Sequence, residues 1–116
     1  MEVSPRDVVA ASLPDPAGLG ELMSSKTCAG LWVSGTGGWP RQVYLYQVVD
    51  NEWSMREYGA QALVWQTAVN PVVAPELLAT GVWQGSGVLG PEAFDAVPFL
   101  ELLTAYGAPW GLREGG

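Results

Sequence analysis

The longest apolar segment of the chain runs from Gly59 to Gly81, and Glu76 is its only ionisable residue. Its hydrophobic residues recur at roughly helical spacing, and such a segment cannot face water on all sides. The pattern predicts a buried central helix that ends at Gly81. Pro71 interrupts this helix, and Asn70 before it is a good N-cap. We therefore expect either one kinked helix or two helices that meet at Asn70.

Two earlier segments alternate between apolar and polar residues in the way that is typical of strands. They are Lys26 to Ser34 and Arg41 to Val49, and the second is rich in valine and tyrosine. The loop of turn-forming residues between them, Gly35 to Pro40, predicts an antiparallel hairpin. Because a hairpin alone is only marginally stable, it must pack on a helix or join a larger sheet.

Further helices are predicted where good N-cap residues precede apolar runs. Ser4 begins a short helix with a buried stripe, Asp50 begins a second, and Asp95 begins a final one that ends at Gly107. The stripe of the first helix comprises Val8, Val9, Ala11 and Leu13. Ala108 to Gly116 is expected to be a short, frayed tail.

The predicted fold class is α+β, with an antiparallel β-hairpin or small sheet packed against the central proline-interrupted helix and two or three further helices. The length of 116 residues suits one core, so residues 1–116 are expected to form a single domain.

Charge and composition exclude several classes of function. The chain carries 12 acidic and 5 basic residues, and this net charge of −7 disfavours binding to nucleic acid and to anionic membranes. Two prolines and several polar residues also interrupt any run long enough to span a bilayer. There is no histidine and a single cysteine, Cys28, so the commonest general base and metal ligands are missing. A lone cysteine without a signal-peptide pattern predicts a cytoplasmic protein, and we assign no catalytic, cofactor-binding or metal-binding residue.

One glycine motif matches a nucleotide-binding pattern only superficially. Gly85 to Gly90 reads Gly-x-Gly-x-x-Gly, which in dinucleotide-binding folds follows a strand and opens a helix. Here the predicted central helix ends just before it, at Gly81, and Pro91 follows directly. The motif is therefore expected to be an ordinary structured loop.

Five polar or aromatic residues are candidates for substrate binding. Gln66, Thr67 and Asn70 lie within the apolar helix, where they either line a ligand cleft or serve the break at Pro71, Thr67 through a back-bond and Asn70 as a cap. Tyr44 and Tyr46, together with Gln47, either present one aromatic and amide face to a ligand or cover a core or dimer seam.

The chain also has more aromatic residues than a small core can bury. It contains six tryptophans, four tyrosines and two phenylalanines. Some of these aromatic side chains should lie on a surface that meets another domain or subunit.

Several motifs in the right order resemble the C-terminal part of the saccharopine dehydrogenase family. They are Val43–Asp50, Gly59–Ala68 and Glu76–Trp83, and Gly87–Glu92 is similar to that family's closing motif. Many members have a glycine where this chain has Val69. Since a valine side chain would block the approach of backbone to a ligand, this departure puts a lysine-pathway substrate in doubt.

The resemblance implies a parent NAD(P)-dependent oxidoreductase of amino-acid metabolism. Such an enzyme transfers a hydride reversibly at the carbon–nitrogen bond of a secondary amine that joins two amino-acid moieties. Its N-terminal Rossmann domain holds NAD or NADP, and its second domain shapes the substrate cleft and the dimer contact. This chain matches only the end of that second domain.

We therefore expect a substrate-binding and dimerisation domain that is inactive alone. Its partners would be a Rossmann domain of the same or a partner chain and a second copy in a homodimer. The alternative is a stand-alone small-molecule-binding or dimerisation module that has lost the redox chemistry.

Overall fold

Three antiparallel strands form the sheet of this computed structural model, which describes residues 3–38 and 41–115. Strand β1 spans Lys26–Gly35, β2 spans Arg41–Asp50, and β3 spans Trp110–Gly115, in the order β1-β2-β3. The predicted hairpin is confirmed, because β1 and β2 pair without a bulge from Lys26 opposite Asp50 to Gly35 opposite Arg41. Trp39 and Pro40 of its loop lie outside the described residues.

The C-terminal segment was expected to be a frayed tail, and that prediction is wrong. Within this segment Trp110–Gly115 form β3, which pairs with β2 from Gln47 opposite Trp110 to Gln42 opposite Gly115. The apolar and polar residues of this short segment alternate too little to indicate a strand, and the free edge of β2 provides its backbone partners.

Four α-helices accompany the sheet in the part of the chain that the structure describes, which confirms the α+β fold class. They are α1 (Pro5–Ser12), α2 (Asn51–Tyr58), α3 (Ala62–Ala79) and α4 (Ala96–Ala105), with 3₁₀ helices at Pro16–Leu22 and Pro91–Ala93. Two predicted caps are confirmed: the Asp50 carboxylate accepts a hydrogen bond from the Trp53 N–H, and the Asp95 carboxylate accepts one from the Val97 N–H.

The central helix α3 is continuous, although Pro71 and Pro75 both lie inside it. The alternative of two helices meeting at Asn70 is therefore wrong. Asn70 is not an N-cap, because its amide nitrogen donates to the carbonyl of Gln66, four residues earlier, at 3.1 Å. Thr67 makes the predicted back-bond, with its hydroxyl 2.8 Å from the carbonyl of Leu63.

Helix α3 is the predicted central helix, and it is buried along one stripe only. The stripe faces the sheet and α4 and consists of Ala62, Trp65, Gln66, Val69, Val73 and Leu77. The opposite face is apolar and exposed to solvent, and its hydrophobic residues are Val64, Ala68, Pro71, Val72, Pro75 and Leu78.

The core is small for a chain of this length. Besides the α3 stripe it contains Val49 of β2, Leu103 of α4, Trp83 and Ala108. Trp83 stacks on Phe94, with ring centroids 4.7 Å apart, and on Phe99 at 5.7 Å. Helix α1 adds nothing to this core, because none of its residues is buried. The predicted buried stripe on α1 is therefore wrong: Val8, Val9, Ala11 and Leu13 are all exposed.

The molecule is extended. Its radius of gyration is 19.1 Å and its longest dimension is 63 Å, whereas a compact chain of this length would have a radius of gyration of about 13 Å. The sheet and α1 reach beyond the helices that pack together, and much apolar surface consequently remains open to solvent.

Candidate functional site

The five predicted site residues lie in three separate places. Tyr44 and Tyr46 project from one face of the sheet, because side chains alternate along β2. Gln66 and Asn70 lie behind the opposite face, on the side where α3 packs. Thr67 lies on the exposed side of α3. Whether these residues bind substrate stays a prediction.

Gln47 does not share a face with the two tyrosines. Its strand position places it with Leu45 and Val49, on the face that meets the helices. Its amide nitrogen lies 3.4 Å from the carbonyl of Ala108, and its own carbonyl accepts a hydrogen bond from the buried Gln66 side chain at 3.1 Å. The expectation of one combined aromatic and amide face is therefore wrong.

A cleft of about 340 Å³ opens between this face of the sheet and the helices α3 and α4. Its walls are mostly apolar, and the amides of Gln47 and Asn70 are its polar side chains together with the indole of Trp110. Amides both donate and accept hydrogen bonds but do not titrate at ordinary pH. The cleft can orient a polar group on an otherwise apolar ligand, and none of the described residues that line it is an acid or a base.

Sequence reasoning did not assign Gln47 and Trp110 to a common site. Strict alternation along β2 was enough to place Gln47 on the helix side. Trp110 could not be placed in the same way, because its position depends on the unexpected strand β3.

The other face of the sheet carries an aromatic cluster, which we define as Trp32, Tyr44 and Tyr46. The two tyrosine rings stack with centroids 5.4 Å apart, and Trp32 lies 6.0 Å from Tyr44. The guanidinium of Arg113 lies 5.8 Å from the centre of the Tyr46 ring, within reach of a cation–π contact.

Glycines on the neighbouring strands make room for this cluster. A Cβ atom at Gly30 would collide with the Tyr44 ring, and one at Gly111 would collide with the Tyr46 ring. Cys28 lies beside the cluster, with its sulfur 3.8 Å from the Tyr44 hydroxyl. This hydrogen bond raises the pKa of Tyr44 above its usual value of 10.0, so the phenol stays neutral at physiological pH.

A second depression, of about 450 Å³, lies between α3 and α4 and is lined by Glu76 and Glu101 among apolar side chains. The hydroxyl of Tyr106 donates a hydrogen bond to the Glu76 carboxylate, and this bond raises the pKa of Tyr106. Glu76 thus already has a partner within the chain.

The glycine motif at Gly85–Gly90 joins a helix to a 3₁₀ helix, which is the setting of an ordinary loop, as predicted. A Cβ atom at Gly85 would meet the end of the flexible Leu89 side chain, which would have to move. Within residues 3–38 and 41–115, no three acidic, cysteine or histidine side chains cluster closely enough to hold a metal ion. No helix in this described part of the chain has the length and apolar character needed to span a membrane.

Comparison with known proteins finds similarity along nearly the whole chain. Carboxynorspermidine synthase of Vibrio alginolyticus is 34% identical over 113 residues, which is 97% of this chain and 27% of that enzyme. The enzyme of the same name from Vibrio cholerae gives the same identity and coverage. Carboxyaminopropylagmatine dehydrogenase of Synechocystis is 32% identical over 110 residues, or 94% of this chain and 28% of the enzyme. No protein-family model matches the chain.

The chain thus spans about a quarter of the length of the curated relatives it matches. These relatives are consistent with the predicted resemblance to part of a larger oxidoreductase. Their names refer to carboxynorspermidine and carboxyaminopropylagmatine and not to a compound of lysine metabolism.

Proposed function

We propose that this chain is the C-terminal substrate-binding and dimerisation domain of a saccharopine dehydrogenase-like oxidoreductase, and that it is inactive without an NAD(P)-binding domain. The observation that carries the proposal is the identity of 32–34% along 94–97% of this chain with about a quarter of much longer enzymes. One of these enzymes is named a dehydrogenase.

The proposed reaction is reversible hydride transfer at the carbon–nitrogen bond of a secondary amine. The names of the relatives suggest an amine chain that bears a carboxylated aminopropyl group, in place of two joined amino acids. The valine at position 69 favours a substrate other than saccharopine, because many members of the family that the chain resembles have a glycine there and this chain buries a larger side chain.

The cleft between the sheet and α3 is the proposed substrate contact. Its apolar walls suit the methylene groups of an amine chain, and the amides of Gln47 and Asn70 can bond to the nitrogen or carboxylate groups at intervals along it. Gln66 contributes from behind, because its amide holds the backbone carbonyl of Gln47.

A Rossmann domain of the same or a partner chain would supply NAD or NADP, because hydride transfer needs a cofactor as well as an oriented substrate. The exposed apolar face of α3 supports this proposed contact, because that face carries no charged side chain that docking would have to desolvate. A homodimer and a cytoplasmic location belong to the same proposal. The exposed thiol of Cys28 is compatible with a reducing compartment.

Cofactor titration tests this proposal. NADH and NADPH are titrated into the isolated chain and tryptophan fluorescence is followed, and no binding is expected up to millimolar concentration. In a second experiment, this chain replaces the matching segment of the V. alginolyticus enzyme, and nucleotide binding by the chimera is compared with that of the unaltered enzyme. Micromolar binding of either nucleotide by the isolated chain, or loss of nucleotide binding in a folded chimera, would overturn the proposal.

The same chimera tests the cleft. Asn70→Leu should raise KM for carboxynorspermidine several-fold and leave the affinity for the nucleotide unchanged. Thr67→Val is the matched control in the same helix turn, because Thr67 points away from the cleft and should leave KM unaltered. Equal KM values for the parent chimera and the Asn70→Leu chimera would show that the substrate does not contact this cleft.

A stand-alone binding module is the second candidate function, because the cleft is formed by this chain alone. In that case the isolated chain should be stabilised by small amines in a thermal-shift series. The first proposal expects no stabilisation without the nucleotide-binding domain.

A further inference from the structure

Strand β1 lies at one edge of the sheet and pairs on its inner side with β2. Within the described residues its outer side has no backbone partner. From Thr27 to Gly35 the strand contains neither a charged residue nor a proline, and its pairing with β2 has no bulge. Natural proteins commonly protect edge strands by charge, proline, a bulge or a cover. Within residues 3–38 and 41–115, the edge of β1 from Thr27 to Gly35 has none of these.

The opposite edge of the sheet is protected. Strand β3 is only six residues long and contains Arg113 and Glu114. Glu114 also forms an ion pair with Arg41 of β2. The two edges of one sheet therefore differ, and the lack of protection is specific to β1.

The side chains of β1 are also open to solvent. Leu31 is 62% exposed, Trp32 58% and Val33 51%. Leu31 and Val33 project from one face and Trp32 from the other, since side chains alternate along the strand. A partner strand at this edge would cover backbone groups and would extend both apolar faces at once.

We infer that the free edge of β1 pairs with β1 of a second copy of this chain, antiparallel and centred on Leu31, so that two three-stranded sheets form one six-stranded sheet. This inference names the surface of the homodimer in the proposed function. It requires neither cofactor nor substrate, so it can hold or fail independently of the proposed chemistry.

Symmetry limits the possible registers. Along β1, alternate residues direct their backbone N–H and C=O groups to the outer side, away from β2. When the strand pairs with its own copy about a two-fold axis, a residue with outward groups must lie opposite another residue with outward groups. A register centred between two residues would set outward groups against inward ones. The axis must therefore pass through a residue.

The centre at Leu31 gives the best match of side-chain size. Gly30 lies opposite Trp32 of the second copy, and on the other face Ala29 lies opposite Val33. Every residue from Thr27 to Gly35 has a partner in this register, and the charged Lys26 falls outside it. A centre at Gly30 would set glycine against glycine, and a centre at Trp32 would set two indoles against each other and shorten the ladder. Self-complementarity of this kind is what a two-fold contact requires and favours a second copy as the partner.

Disulfide trapping tests the register. In a Cys28→Ser background, Leu31→Cys should give a covalent dimer under mild oxidation, because the residue on the axis lies opposite itself. Leu112→Cys is the matched control, since Leu112 is an exposed leucine on the same face at the protected edge. No dimer with Leu31→Cys, or equal trapping of both variants, would overturn the inference.

Charge substitution gives a second test that does not depend on oxidation. Leu31→Lys sets two like charges directly opposite each other and should weaken dimerisation at least about tenfold in sedimentation velocity. Leu31→Glu should do the same, and an equimolar mixture of the two variants should restore the dimer. Circular dichroism checks that each variant is folded. A monomeric parent chain, or no restoration in the mixture, would overturn the inference and leave the edge for a strand from elsewhere in a longer polypeptide.

Discussion

The buried side chain of Asn51 connects three segments that are distant along the chain. Its amide nitrogen donates to the carbonyls of Gly20 and Met23, each at 2.8 Å, and its oxygen accepts from the Ala62 N–H at 3.0 Å. It thereby joins the first 3₁₀ helix to the beginning of α3. The sequence predicts this residue only as part of a cap, because its partners are distant along the chain.

Asn51→Asp should lower the free energy of unfolding by about 3 kcal/mol, because it leaves two carbonyls without a donor and places a carboxylate in a buried site. Asn70→Asp makes the same change at an exposed position with one side-chain hydrogen bond and should cost about 1 kcal/mol or less. Urea denaturation of both variants measures the difference. Equal losses would show that the three bonds of Asn51 do not act together.

Asp50 links the stability of the hairpin to pH. The hydrogen bond from the Trp53 N–H, supported by the charge of Lys26, holds the pKa of the Asp50 carboxyl below its usual value of 3.8. A lowered pKa in the folded state contributes stability at pH values above that usual value, and this contribution is lost as the pH falls through the folded pKa.

Asp50→Asn keeps a good N-cap but removes the titrating group. The variant should therefore lose less stability than the parent chain between about pH 4 and pH 2. Thermal unfolding across this pH range measures the effect, and Asp7→Asn on the exposed helix α1 serves as the control. If Asp50→Asn and the parent chain lost equal stability over this acidic range, the result would contradict this account.

The local sequence pattern predicts some elements of the fold better than others. The hairpin and the caps at Asp50 and Asp95 were predictable, because alternation and capping act over a few residues. Strand β3 was not, because its pairing depends on the distant β2. The sequence left open whether one helix continues through Pro71 or two helices meet at Asn70, and packing of the buried stripe on the core outweighs the local cost of a proline.

The aromatic cluster depends on the glycines of its neighbouring strands. Gly30→Ala should lower the free energy of unfolding by about 1–2 kcal/mol, because the new methyl group meets the Tyr44 ring. Gly35→Ala in the same strand meets no atom and should be close to neutral. Chemical denaturation compares the two variants.

A double-mutant cycle identifies the cause. When Tyr44 is already alanine, Gly30→Ala should lose most of its cost, because the colliding ring is absent. Additive losses would mean that backbone conformation and not the collision decides the effect.

For the whole molecule, the unequal burial of its elements predicts which parts can be removed. Deleting residues 3–12, which include α1, should leave the melting temperature nearly unchanged, because no residue of that helix is buried. Deleting β3 should lower the melting temperature by several degrees, since β2 would lose its ladder along one side. Differential scanning calorimetry of both truncations measures the contrast, and similar losses would contradict it.

The extended shape was not predictable from the pattern of hydrophobic residues. That pattern indicates which residues avoid water but not whether the same chain or another one covers them. The exposed apolar residues of α3 therefore look like core residues in the sequence, whereas the surplus of aromatic residues predicts an aromatic surface. Of the predicted site residues, Asn70 lines the cleft and Gln66 lies behind it, whereas Tyr44 and Tyr46 lie across the sheet.

The position of β3 after the last helix has a consequence for synthesis on the ribosome. The hairpin leaves the exit tunnel early, and its second strand waits with one side unoccupied until the entire helical segment has been translated. Nascent or prematurely terminated polypeptides therefore expose the unpaired edge of β2 to other chains. Chaperone binding during translation should be strongest after β2 has emerged and before β3 has been synthesised.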